Sequence, residues 1–172
     1  CRLKMAVGGN GWRVAEPYTV GVEEEYHLLD GATFALVAGV DDVLPRAREA
    51  LGGEVQPELN QAQIEIGTPV CRTLDEVRSE LVRLRRGVIS AARRDGSRIA
   101  AAGTHPFSSW EDQPITRKPR YIGLQDDFQQ LAREQIIFGC HVHVGIADRE
   151  EAVQAMNRSR PWLAPFIALA II

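Results

Sequence analysis

A chain of 172 residues, 45% hydrophobic and 25% charged, has the composition of an ordinary soluble globular domain and is long enough to bury a core. Its net charge of −3 and isoelectric point near 5.8 give no reason to expect nucleic acid as a partner. The three cysteines, at positions 1, 71 and 140, lack CxxC spacing and describe neither a disulfide framework nor a thiolate metal site, which fits a reducing cytoplasm.

Residues 1–17 read as a flexible arm. Gly8-Gly9-Asn10-Gly11 has no strand before it and no GK[ST] after it, so it is not a phosphate loop, and Cys1 to Gly11 lacks the apolar run of a signal peptide. Met5 is a candidate natural start. Tyr18 to Asp30, YTVGVEEEYHLLD, then reads as a strand of period two. Val20, Val22, Glu24, Tyr26 and Leu28 share one face; Gly21, Glu23, Glu25, His27 and Leu29 share the other. Glu23 and Glu25 side by side repel, so a cation belongs near them, and a divalent metal is the simplest candidate. Asp30-Gly31 signals a turn, after which Thr33 to Val37 is expected to pair back as a hairpin.

Asp41 to Leu51 reads as a short helix ended by Gly52-Gly53, with Pro45 acceptable only in its first turn. Glu54 to Thr68 reads as a second strand region. Gln61, Gln63, Glu65 and Gly67 lie on one face and Ala62, Ile64 and Ile66 on the other, until Pro69 stops the ladder. Thr73 and Glu76 form a capping box that opens a helix over 74–94. Its stripe is Leu74, Val77, Leu81, Leu84, Val88 and Ala91. Arg83, Arg85, Arg86, Arg93 and Arg94 read as the solvated face of that helix. Asp95-Gly96 closes it, and Arg98 to Ala102 follows as a short strand.

Gly103 to Arg120 is a proline-bearing loop long enough to carry function, although a solvated connection is its plain rival. Arg117, Lys118 and Arg120 are candidates to meet phosphate or carboxylate, and His105 and Trp110 to line a pocket. Tyr121 to Gln135 reads as a helix with Tyr121, Leu124, Phe128 and Leu131 on one stripe. Phe138 to Ile146, FGCHVHVGI, is a third patterned strand. Phe138, Cys140, Val142, Val144 and Ile146 alternate with Gly139, His141, His143 and Gly145. A helix from Arg149 to about Arg160 meets a new start or kink at Pro161. The apolar stretch 161–172 is too short to span a bilayer and is expected to be a buried helix whose partners lie further along, so the chain reads as the front part of a longer protein.

Three strands therefore share one pattern: an apolar face for helices, and a polar face of Glu or His among glycines that admit a ligand close to the sheet. Alone, an E-x-E or an H-x-H is more often a solvated sheet face. Together they point to a metal site. Oxygen donors dominate, so the expected ion is Mg2+, with Mn2+ as the alternative and an imidazole as a secondary ligand. A metal-dependent hydrolase with His141 or His143 as general base is a rival use of the same face.

VGVEEEYHLLD, ELNQAQIEIGTPVCR, AAGTHPF and HVHVGI, in that order, resemble the type 2 glutamate–cysteine ligase family, the carboxylate–amine ligases, from about Tyr18 to the C-terminus. The resemblance implies an α+β fold like the glutamine synthetase catalytic domain. In it, an antiparallel sheet has helices packed on one face and the active site on the other, here truncated, with 18–172 the N-terminal part of one catalytic domain. It implies ATP-dependent ligation, in which the glutamate side-chain carboxylate forms an acyl phosphate that an amine such as cysteine displaces. By the same resemblance Glu23 and Glu25 hold Mg2+, Glu65 completes the shell, and Glu58 and His141 fall where the wider superfamily places ligands. Glu58 and Glu65 are seven residues apart, so a bulge, or Glu58 lying before the strand, is required to bring them to one face. The implied partners are glutamate and a small amine, without nucleic acid or membrane, with assembly into a homo-oligomer as a further expectation. A third reading is an inactive fragment that associates with another chain through its sheet edge and apolar C-terminus.

Overall fold

Strand β1 (Thr19–Asp30) is the axis of the sheet in the computed structural model, which describes residues 18–170. The expected arm at 1–17, with its glycine cluster, lies outside the described residues. After β1 come α1 (Val40–Leu51), β2 (Val55–Pro57), β3 (Gln63–Gly67), α2 (Leu74–Arg94) and β4 (Ser97–Ala100). The chain continues with α3 (Pro119–Phe128), α4 (Gln130–Arg133), β5 (Cys140–Gly145), α5 (Arg149–Ser159) and α6 (Leu163–Ala170).

All pairings are antiparallel. β3 lies along one edge of β1, Glu23 to His27 against Gly67 to Gln63, and β2 lies outside β3. β5 and β4 share the other edge end to end: β5 pairs with 19–24 and β4 with 27–30. The face alternation expected for β1 holds. Tyr26 and Leu28 point into a core with Val55, Ile64 and Ile66, and α1 and α2 close it with Val40, Val43, Ala47, Leu84 and Val88. Leu28, Ile64 and Ile66 are fully buried, each contributing roughly 1.5–3 kcal/mol of transfer free energy. Helix α2 begins as its capping signal predicts: the Thr73 hydroxyl accepts the Glu76 N–H at 3.1 Å, while the Glu76 carboxylate accepts the Arg72 N–H at 2.7 Å.

Several local expectations are corrected. The region 54–68 is not one strand but the pair β2 and β3, because Pro57 offers no N–H to extend a ladder and the chain reverses at Asn60, whose carbonyl accepts the Gln63 N–H. Pro45 sits inside α1, beyond the first turn. Leu74 is exposed rather than part of the buried stripe of α2. The helix expected over 121–135 breaks at Gln129, which has φ 50°, and Phe128 and Leu131 are exposed. The segment 33–37 returns only through a single bridge, Leu36 to Leu29. Phe138 leaves the strand to pack against His27, their ring centroids 3.4 Å apart and their planes tilted by 40°. The kink at Pro161 is present, and within this chain α6 leaves Leu163, Phe166, Ile167 and Leu169 exposed. Among the described residues, no helix is long and apolar enough to cross a membrane.

Candidate active site

Residues directly opposite in an antiparallel ladder share a face, so the registers assemble the site. Glu25 stands opposite Glu65, Glu23 opposite both Gly67 and His141, and Gly21 opposite His143. Glu23, Glu25, Glu65, His141 and His143 therefore share the face away from α1 and α2. Glu58 joins them from the bend after β2: it lies before β3, which answers its seven-residue spacing from Glu65, and lines a cavity of about 200 Å³ with Glu25, Gln63, Gly139 and His141.

The carboxylates are held by different partners. Glu25 Oε2 accepts the Gln63 side-chain amide and the Gly139 N–H, both at 2.8 Å, and Gln63 is itself anchored to the Ile137 carbonyl. Glu23 Oε2 lies 3.0 Å from His143 Nε2 and 3.7 Å from His141 Nδ1. Glu58 accepts the Tyr121 hydroxyl at 2.9 Å. Glu65 has no arginine or lysine ion pair among the described residues. Burial, then the charges of Glu58, Glu23 and Glu25, push its carboxyl up to about 7. A side chain at Gly139 would come within 3.1 Å of the His141 ring, so this glycine leaves the imidazole its place.

These donors suit a hard divalent cation in kind, being mostly carboxylate oxygens with an uncompensated excess of negative charge. They do not form a closed shell: among the described residues, no group of three or more His, Cys, Asp or Glu is arranged to hold a metal ion. The expected ligands Glu23, Glu25, Glu58, Glu65 and His141 are thus on one side of the sheet but not converged on a point.

The expected phosphate contacts separate. Lys118 Nζ donates to the Pro57 carbonyl at 3.3 Å and lies 5.3 Å from the centroid of the Tyr121 ring, beside Glu58. Burial lowers its pKa, against the pull of Glu58 and Glu65. Arg120 lies over the same ring. Arg117 is apart, lining a second cavity with Trp110, Gln113, Ile122 and Arg133. His105 organises its loop: Nε2 contacts the Phe34 carbonyl at 3.0 Å, and Nδ1 accepts the Ser108 N–H at 3.0 Å. With Leu29, Leu36, Ala62, Ile136 and Phe138, Trp110 covers the far end of the polar face, so that face is open at Glu23 to Glu25 and closed over His27.

Gln63 as the holder of Glu25, and Tyr121 as the donor to Glu58, escape sequence reasoning. The first was placed on the right face by alternation; for the second nothing local signals a contact 63 residues away. Arg83 and Arg85 are also not merely solvated. Arg83 pairs with Glu54 and Glu80, and Arg85 reaches through to Glu24 on the core side of β1.

An antiparallel sheet with helices on one face and a carboxylate-lined opposite face defines a class that comparison makes specific. The profile of glutamate–cysteine ligase family 2 matches residues 19–171. The chain belongs to this family. It is 46% identical over 154 residues to a protein of Roseiflexus castenholzii and 44% identical over 154 residues to one of Herpetosiphon aurantiacus, both bearing the provisional name glutamate–cysteine ligase 2. These alignments cover 90% of this chain but 41% and 40% of the relatives, so the chain spans about two-fifths of the length of the curated relatives it matches. The fold is shared with the glutamate–cysteine ligase of Francisella tularensis, solved in complex with AMP. The TM-score is 0.61 at 14% identity, over 83% of this chain and 30% of that one.

Proposed function

We propose that the carboxylate face works as the cation and nucleotide platform of an ATP-dependent carboxylate–amine ligase, joining the side-chain carboxylate of glutamate to an amine such as that of cysteine. The observation that carries this reading is the in-register pair Glu25 and Glu65, with no lysine or arginine ion pair on Glu65 among the described residues, and a Glu65 carboxyl pushed up to about 7 by burial first and then by Glu58, Glu23 and Glu25. Family membership supports the ligase class, and the AMP in the Francisella structure supports a nucleotide as ligand. Because the chain spans about two-fifths of its relatives, the activity is proposed for the intact protein.

On this reading Glu23, Glu25, Glu58, Glu65 and His141 hold Mg2+ or Mn2+. A bound divalent cation would supply the positive charge that lets ATP approach an acidic surface and that stabilises the transferring phosphoryl group. The chain's own groups fix the platform. Gln63 and the Gly139 N–H lock Glu25, and His143 orients Glu23. Lys118 and Arg120 stand at the Glu58 end as cations for phosphate or carboxylate. In the reaction, an oxygen of the glutamate side chain bonds to the terminal phosphorus as the bond to ADP breaks. The amine nitrogen then bonds to the acyl carbon as phosphate leaves, and the nitrogen loses a proton.

Sustained, multiple-turnover ADP formation by the intact protein should require both glutamate and an amine, and Glu23→Gln should abolish it. Phosphate release that needs no amine would instead favour the hydrolase.

A further inference from the structure

Three consecutive glutamates cannot face the same side of a strand. Glu23 and Glu25 take the open face, so Glu24 points under the sheet, where it is 8% exposed. There Arg85 of α2 grips it with two prongs, Nε to Oε2 at 2.8 Å and Nη2 to Oε1, while the Tyr26 hydroxyl also donates to Oε2.

The grip sits beside a break in one edge of the ladder, while β3 pairs Glu23 to His27 without interruption along the other. On one edge, β5 ends opposite Glu24 and β4 begins opposite His27, and the gap between them is bridged at Glu25 by its N–H to the Gly139 carbonyl, 3.0 Å. A local slip or bulge of one residue here would exchange the faces and substitute Glu24 for a site carboxylate. A buried ion pair is a poor source of stability, since apolar residues of similar volume often do as well or better; its attested use is to fix register.

We propose that Arg85 is a positioning residue of the acidic site: by clamping Glu24 beneath the sheet it sets the alternation and spacing with which Glu23 and Glu25 are presented to a divalent cation. This rests on the reading that those carboxylates bind a cation.

The test is titration of the intact protein with Mn2+, read calorimetrically alongside thermal melting, for the wild type, Arg85→Met, Arg85→Lys and the double variant Glu24→Leu/Arg85→Leu. Arg85→Met should weaken Mn2+ binding about tenfold or more, the scale on which losing a group that orients metal ligands acts. Arg85→Lys should recover part of the loss. The double variant should melt no lower than the wild type and still bind Mn2+ weakly, which a purely structural role would not produce. If it does not fold, Glu24→Gln, which keeps the shape but not the charge, makes the same comparison. Wild-type-like affinity in the folded variants, or recovery of affinity in a stable double variant, would overturn the clamp. A wild type that binds no Mn2+ would overturn the cation reading beneath it.

Discussion

Glu25 and Glu65 stand directly opposite one another on β1 and β3, two carboxylates on one face of a ladder. The Glu65 carboxyl, ordinarily at 4.5, is raised to about 7 by burial and by Glu58, Glu23 and Glu25. A carboxyl with a raised folded-state pKa contributes stability that is complete below its unfolded value and lost as pH rises through the folded one. Without a divalent cation, stability should therefore fall between about pH 4.5 and 7, by on the order of 2 kcal/mol relative to Glu65→Gln. Urea unfolding in chelator across that range measures it, and Mg2+ at pH 7 should remove most of the difference. Parallel wild-type and variant curves would contradict the carboxylate stack.

His27 carries the opposite sign. It is 1% exposed, contacts the Ala102 carbonyl through Nε2 at 3.0 Å, and is lowered from 6.5 to about 4, chiefly by burial. Its contribution is complete above about 6.5 and is lost as pH falls through 4, at most about 3 kcal/mol. His27→Gln should lessen acid destabilisation between those values, whatever its effect at pH 7. An unchanged slope of stability against pH would refute this.

Gly87 is a packing position inside α2. A Cβ there would lie 2.7–2.9 Å from three side-chain carbons of Leu51, itself buried at the end of α1. Alanine gains about 1 kcal/mol in helix propensity, but overpacking costs about 1–3 kcal/mol, so Gly87→Ala should be net destabilising by about 1 kcal/mol. A raised melting temperature would show that the two helices part more easily than their packing indicates.

Lys118 and Arg117 are adjacent in sequence but separate in the fold. Lys118→Met should raise the KM for ATP or glutamate severalfold in the intact protein, whereas Arg117→Ala, altering the cavity beside Trp110, should change it less than about twofold. Equal effects from both would mean that the loop rearranges when substrate binds.

Much of this arrangement was legible because period-two alternation is a local property. It placed Glu23, Glu25, Glu65, His141 and His143 on the right face, and the Thr73 cap located α2 to the residue. What could not be read was set by distant contacts. The reversal at Asn60 is supported by its amide donating to the Gln135 carbonyl at 2.6 Å, and the loop over His27 is held by His105. Alternation puts the middle glutamate of Glu23-Glu24-Glu25 on an otherwise apolar face; only the fold brings Arg85 to it, 61 residues later.

Isothermal titration of Mg-ATP into the intact protein, with Glu23→Gln in parallel, bears on all of this at once. Saturable binding by the wild type that Glu23→Gln loses is the predicted result. Equal binding by both, or none by either, would contradict a cation and nucleotide platform on the carboxylate face.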